Sequence, residues 1–230
     1  MKPYKSRNRI FAGAAFCLVF LLLQACVTAP KKAELQEQNA WDAMDLVLVL
    51  PFQNMAKIYG EGEHVKSPLG DKYYLAGKIE TDGEEYLNGK LLDLLEKQKD
   101  FKIISPEGRE GGTFLSQNDS GAEPLIEDLI KKGRDSGADG VMVGYVYRYS
   151  ERVGNSISVS APASVVFELF MISAKSNSVV WSAGFSETQK SLSEDLFLVK
   201  KFFQRGGKWI KVDEMAGDAL TAMIGDHSGK

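Results

Sequence analysis

The chain has 230 residues, 44% hydrophobic and 26% charged, with a formal net charge of -3. These are the values of an ordinary globular protein, long enough for one large domain or two small ones. An acidic chain without a basic stripe argues against nucleic acid as a partner.

The first nine residues carry Lys2, Lys5, Arg7 and Arg9 and no acid. Residues 10–23 are apolar apart from Gly13, and the small residue Ala25 then precedes Cys26. Charged, then apolar, then small is the order of a secretory signal peptide. The run is shorter than the roughly 20 apolar residues that a comfortable membrane span needs. The tetrad Leu23-Gln24-Ala25-Cys26 resembles the lipobox of bacterial lipoproteins. In that family the chain is cut before the cysteine, whose thiol carries diacylglycerol and whose new amine is usually acylated too. The resemblance implies cleavage after Ala25, lipidation of Cys26 and a membrane anchor made of acyl chains. Val27 at the next position implies sorting to the periplasmic face of the outer membrane, since an aspartate there commonly retains such proteins at the inner membrane. Cleavage would leave 205 residues with a formal net charge of -7. Cys17 would leave with the signal and Cys26 would be a thioether. The mature domain would then have no disulfide, no thiol nucleophile and no cysteine-ligated metal.

Residues 26–44 read as a lipidated tether, with little to bury. Residues 45–50, Asp-Leu-Val-Leu-Val-Leu, read as a buried strand ended by Pro51. Residues 53–82, with four glycines and one proline among mixed charges, suggest a long loop or an insertion with weak structure. The spacing of Leu87, Leu91, Leu94 and Leu95 predicts a helix over 83–99, with Asp82 as N-cap and Glu84 and Glu85 in the first turn. A strand over 101–105 stops at Pro106, and 107–121 reads as a loop. A second helix over 123–136 ends at Gly137. A strand follows at once over 139–148. Residues 151–161 form a polar turn around Gly154-Asn155.

Residues 163–173 and 178–187 make a hairpin, turned by Lys175-Ser176-Asn177-Ser178. The first of these runs is apolar on both faces apart from Glu168, as in a central strand. Ser191-Leu192-Ser193-Glu194 is a capping box that opens a third helix, ended by Gly206-Gly207. A last helix over 212–224 precedes a loose tail, 226–230. Alternating helix and strand followed by a meander gives an α/β fold. The expectation is a single domain over 45–225, with a mixed sheet of about five strands and helices packed on it.

No catalytic constellation stands out. His64, in Glu61-Gly62-Glu63-His64, has no spaced partner set for a metal, and His227 lies in the tail. There is no Gly-x-Ser-x-Gly elbow, no phosphate loop and no motif that asks for a cofactor. The chain therefore reads as a non-enzymatic one. Tyr145, Tyr147 and Tyr149, predicted to share one strand face, stand near Arg148 and Arg152. An aromatic and arginine-rich patch is the composition of an interface, so Tyr149, Arg152 and Trp209 are the candidate partner contacts. Strand propensity favours the alternative, tyrosines that cover a helix or the sheet's rim.

Three stretches resemble a group of bacterial lipoproteins. They are Val47-Leu48-Val49-Leu50-Pro51-Phe52, Ser136-Gly137-Ala138-Asp139-Gly140-Val141-Met142-Val143-Gly144, and Ser178-Val179-Val180-Trp181-Ser182-Ala183. The group includes the penicillin-binding-protein activator lipoproteins, the curli secretion lipoprotein and the TolB amino-terminal domain, which share a small α/β domain. Residues 139–214 also resemble uncharacterised lipoproteins of sediment-type proteobacteria, through Tyr147-Arg148-Tyr149-Ser150-Glu151-Arg152-Val153-Gly154, Pro162-Ala163-Ser164-Val165-Val166-Phe167 and Phe185-Ser186-Glu187-Thr188-Gln189. Where the curli relatives place a Glu-Arg pair and a glutamate-rich helix, Ile103-Ile104-Ser105-Pro106-Glu107 stands here. The expected function is an outer-membrane-anchored periplasmic module that binds an envelope protein. The alternatives are an oligomeric secretion or assembly accessory, and a ligand-binding or hydrolytic domain using 53–82 and 106–121 as a lid.

Overall fold

A computed structural model of the chain describes residues 44–97, 101–106, 126–154, 159–189 and 210–225. Its centre is β1 (Leu46–Val49), an apolar strand whose residues 47–49 are all buried. Helix α2 (Gly83–Glu96) follows and leads to β5 (Lys102–Ile104), which pairs parallel with β1 on one side. Helix α3 (Ile126–Asp135) then leads to β6 (Gly140–Ser150), parallel to β1 on the other side. Strand β9 (Ser164–Ser173) pairs antiparallel with β6, and β10 (Ser178–Thr188) with β9. The order β10-β9-β6-β1-β5 is the expected mixed sheet, with a sixth strand, β2 (Gln53–Asn54), alongside β6. A small hairpin of β7 (Val153–Gly154) and β8 (Val159–Ala161) stands apart, and α4 (Val212–Gly225) closes the described chain.

Both faces of the sheet are covered. Val47, Val49, Met142, Val165, Phe167 and Leu169 point to one side, where Leu87, Leu91 and Leu95 of α2 meet Met215, Ala216 and Leu220 of α4. Leu48, Leu50, Val141, Val143, Val166 and Ile172 point to the other, against Leu129 and Ile130 of α3 and Met55 of α1 (Met55–Tyr59). All ten residues of β9 are buried, as a strand covered on both faces requires.

The Gly137-Ala138-Asp139-Gly140 stretch is explained by backbone. Gly137 takes φ +72, and the amides of Ala138 and Gly137 bond the carbonyls of Gly133 and Arg134 at 2.8 and 2.9 Å, a Schellman stop for α3. Asp139 Oδ2 accepts from the amides of Asp45 and Leu46 at 3.1 and 3.0 Å, pinning the start of β1. Asp82 stands at the N-cap of α2, but its side chain makes no cap hydrogen bond.

Two sequence expectations are corrected. Residues 53–82 are not a weakly structured loop. They hold β2, α1 and a hairpin of β3 (His64–Lys66) and β4 (Tyr73–Leu75). β6 runs for eleven residues beside a four-residue β1, so its far half needs other partners. Gln53 and Asn54 pair with Tyr145 and Val146, and the Gly77 amide donates to the Tyr147 carbonyl at 2.9 Å. Tyr149 donates to Lys78 and accepts from Glu80, at 3.0 and 2.8 Å.

The second correction concerns the tyrosines. Tyr145, Tyr147 and Tyr149 do not share a face. The pairing of β6 with β9 steps from Val146↔Phe167 to Arg148↔Val166, which makes Tyr147 an extra, bulged residue. One extra residue reverses the alternation beyond it. Tyr145 and Tyr147 therefore lie in the core beneath the β3–β4 hairpin, and Tyr149 lies in the core with α2 and α4.

Candidate functional site

β1 and β5 are parallel neighbours: the crossover that joins them returns through α2 on one face, and the crossover from β5 to β6 runs through α3 on the other. Ligands of open α/β sheets bind beyond the carboxyl ends of such a strand pair. This chain has a half-open trough at that place, about 320 Å³ in volume. One wall is Val49, Leu50 and Pro51 from the end of β1, with Ser105 and Pro106 from the end of β5. The other is a stripe of α2 that includes Glu85, Asn88, Gly89, Asp93 and Glu96. Helix periodicity puts these residues beside the buried Leu87-Leu91-Leu95 stripe. The Asn88 Oδ1 accepts from the Phe52 amide at 2.7 Å and fixes the turn after β1. Among the described residues the ionisable groups lining the trough are all carboxylates. A shallower groove continues over Gly89, past Asp82, Tyr86 and Lys90.

A second polar centre is sealed inside the opposite face. Glu168, 5% exposed, accepts from the Tyr74 hydroxyl at one oxygen and the Tyr147 hydroxyl at the other, each at 2.8 Å. The Tyr74 ring lies 4.5 Å from that of Tyr147, so the hairpin is stacked down onto the sheet. Among the described residues the Tyr145 hydroxyl has no hydrogen-bond partner. Burial, and then the Glu168 carboxylate, push the Tyr145 and Tyr147 hydroxyls far above the usual tyrosine value. Tyr74 is raised too, by burial and by its bond to Glu168. All three stay protonated, and Tyr74 and Tyr147 act as donors to Glu168, which suits a structural clasp.

The predicted contact residues separate. Tyr149 is fully buried: its ring lies against Gly83 and its hydroxyl donates to Asp213 Oδ1 at 2.5 Å. Burial and that bond raise its hydroxyl in turn. It ties α2 and α4 to the sheet, so it presents no surface in this fold. Arg152 is partly buried and lines a different trough, about 550 Å³, with Glu80, Asp82, Glu151 and Asp213. In that trough Glu151 Oε2 accepts from the Val212 amide at 3.2 Å, and the Lys78 ammonium holds the Glu80 carboxyl below the usual carboxylate range. Ala25, Cys26, Trp209, His227 and the capping box at 191–194 lie outside the described residues. His64 is exposed on β3, and among the described residues no three His, Cys, Asp or Glu gather as a metal site. No described helix is long and apolar enough to cross a membrane.

Sequence reasoning missed the switch-point trough. The signal for it was Gly89, a glycine inside the clearest predicted helix, together with the acids one and two turns to either side.

No protein-family model matches the chain, and no curated protein matches it. Among solved structures it is similar to a PelC dodecamer from Paraburkholderia phytofirmans, at 11% identity and TM-score 0.44, over 81% of this chain and 88% of that one. It is similar to lipoprotein GNA1162 from Neisseria meningitidis, at 15% identity and TM-score 0.36, over 70% and 96%. It is also similar to the LpoB C-terminal domain from Salmonella enterica, at 13% and 0.35, over 69% and 99%. At such identities and scores no residue role is carried from them to this chain.

Proposed function

We propose that the chain is a lipid-anchored periplasmic lipoprotein of the outer membrane whose α/β domain binds an envelope protein. Residues 1–25 are its signal peptide, cut after Ala25, and Cys26 carries the acyl chains at the head of the tether 26–44. The observation that carries the binding reading is the switch-point trough. Its lining of surface carboxylates, prolines and an amide already engaged by Phe52 holds a partner by charge and contact.

The anchor is tested by Cys26→Ala, which should move the protein from the membrane to the soluble fraction; a variant that still sediments with membranes overturns it. The binding reading is tested by photo-crosslinkers placed across the domain surface in intact cells. It expects one partner captured reproducibly from a limited set of positions, and it falls if no position yields a specific adduct.

A second reading, an oligomeric assembly accessory, is supported by β10. That strand is eleven residues long, without proline or lysine, and no described residue pairs with its outer edge. An open edge can accept another strand, and here only the bulge between Val179 and Trp181 and the charge of Glu187 blunt it among the described residues. Sizing the detergent-solubilised protein separates the two readings, since a clean monomer counts against the second.

A further inference from the structure

The glycines inside the described helices are not alike. A Cβ at Gly133 of α3 would meet Val141 Cγ2 at 2.5 Å, and one at Gly217 of α4 would meet the Tyr86 hydroxyl at 2.7 Å. Both are small because a neighbour occupies their space. A Cβ at Gly89, in the middle of α2, would meet nothing within 4 Å. No contact within the described domain asks for a glycine there, and an interior helix glycine costs stability relative to alanine. Gly89 is also shared by the switch-point trough and the groove that continues over α2.

Among the described residues the charges lining the trough are all acidic. Glu85, Asp93 and Glu96 are exposed, and none takes part in a salt bridge among the described residues. Lys90 is the cation on the neighbouring groove, with its chain directed toward Gly217 of α4. At about 1.5 Å of rise per residue, Glu85 and Glu96 stand roughly 16 Å apart along the helix. An extended peptide of about five residues covers that length. Glu85 lies about 12 Å from Asp93 by the same rise, too far for one metal ion to bridge.

We propose that this trough receives an extended segment of the partner protein bearing lysine or arginine side chains, with its backbone crossing α2 at Gly89. The proposal rests on the binding reading above and names the partner's chemistry. The basic side chains meet Glu85, Asp93 and Glu96, and Pro51 and Pro106 give the segment a firm apolar floor. The absent side chain at residue 89 lets the peptide backbone lie directly on the helix.

The test uses the full-length protein in detergent and a fluorescein-labelled peptide of alternating lysine and alanine, with an alternating glutamate and alanine peptide as control. Fluorescence anisotropy should show binding of the lysine peptide alone, weakened by salt. The triple variant Glu85→Gln, Asp93→Asn, Glu96→Gln should bind about tenfold more weakly, three exposed pairs together being worth about one decade. Gly89→Ala should bind about threefold more weakly while its melting temperature rises, so that lost binding is not mistaken for lost folding. The proposal is overturned if the lysine peptide does not bind, or binds either variant as tightly as the parent protein. Crosslinking in cells keeps the two readings apart. Adducts from β10 or the Arg152 trough with none from α2 would sink this proposal and leave the binding reading standing.

Discussion

The two faces of the sheet are closed by different chemistry. On one, α2 and α4 lay Leu87, Leu91, Leu95, Met215 and Leu220 against Val47, Val49, Phe167 and Leu169, an apolar seal. On the other, beyond the reach of α3, the β3–β4 hairpin covers β6 and β9 with Tyr74, over Tyr145, Tyr147 and a buried Glu168. The first seal depends mainly on area removed from water, with one titratable tie, the Tyr149 hydroxyl on Asp213. The second depends on hydroxyls that must stay protonated and aimed, and a group left unpaired there is expensive. Tyr149 shows how narrow the division is: one bulged residue carries it from the polar side to the apolar one.

Substitutions should sort by face. Leu91→Ala on the apolar side removes a fully buried side chain and should cost about 2–5 kcal/mol, at every pH where the protein folds. Urea denaturation at several pH values checks this, and a cost that varies with pH would break the distinction. Tyr147→Phe on the polar side should cost about 1–3 kcal/mol, because it leaves one oxygen of Glu168 without its donor. It should also change the alkaline limb. The folded state raises this hydroxyl above its unfolded value of 10.0, so its contribution is complete below that value and is lost as pH rises through the folded one. Stability should therefore fall above about pH 10, by about 1.4 kcal/mol per pH unit for each tyrosine held neutral. Tyr147→Phe should make the fall shallower by one such increment. Tyrosinate absorbance that appears before the chain unfolds would show that the seal is wetter than its geometry indicates.

The same division governs what could be read in advance. The leucine stripe of α2, the apolar run of β1, the α3 stop at Gly137 and the β9–β10 hairpin were legible, because each is a local period or a turn residue with one strong physical reading. The 53–82 segment was not. Its strands are two and three residues long, and they exist because β6 outruns β1 and needs partners, a fact of topology with no local period. The bulge at Tyr147 was hidden for a related reason, since alternation is unbroken in the sequence and only the pairing with β9 reveals the extra residue. Glu168 could be seen as the polar exception in its strand, but the acceptor role needs Tyr74, ninety-four residues away in the chain.

The smallest effect expected is a gain. Gly89→Ala adds a methyl group where nothing stands within 4 Å and removes the flexibility of an interior helix glycine, so it should stabilise the domain by about 0.5–1 kcal/mol. Gly133→Ala is the control on the opposite face. Its Cβ would lie 2.5 Å from Val141 Cγ2, so overpacking should cost about 1–3 kcal/mol and outweigh the same helical gain. Thermal melts of the two variants should therefore shift in opposite directions. If Gly89→Ala also lowered the melting temperature, the space above residue 89 would be filled by another part of this chain. The trough would then belong to the core and not to a partner.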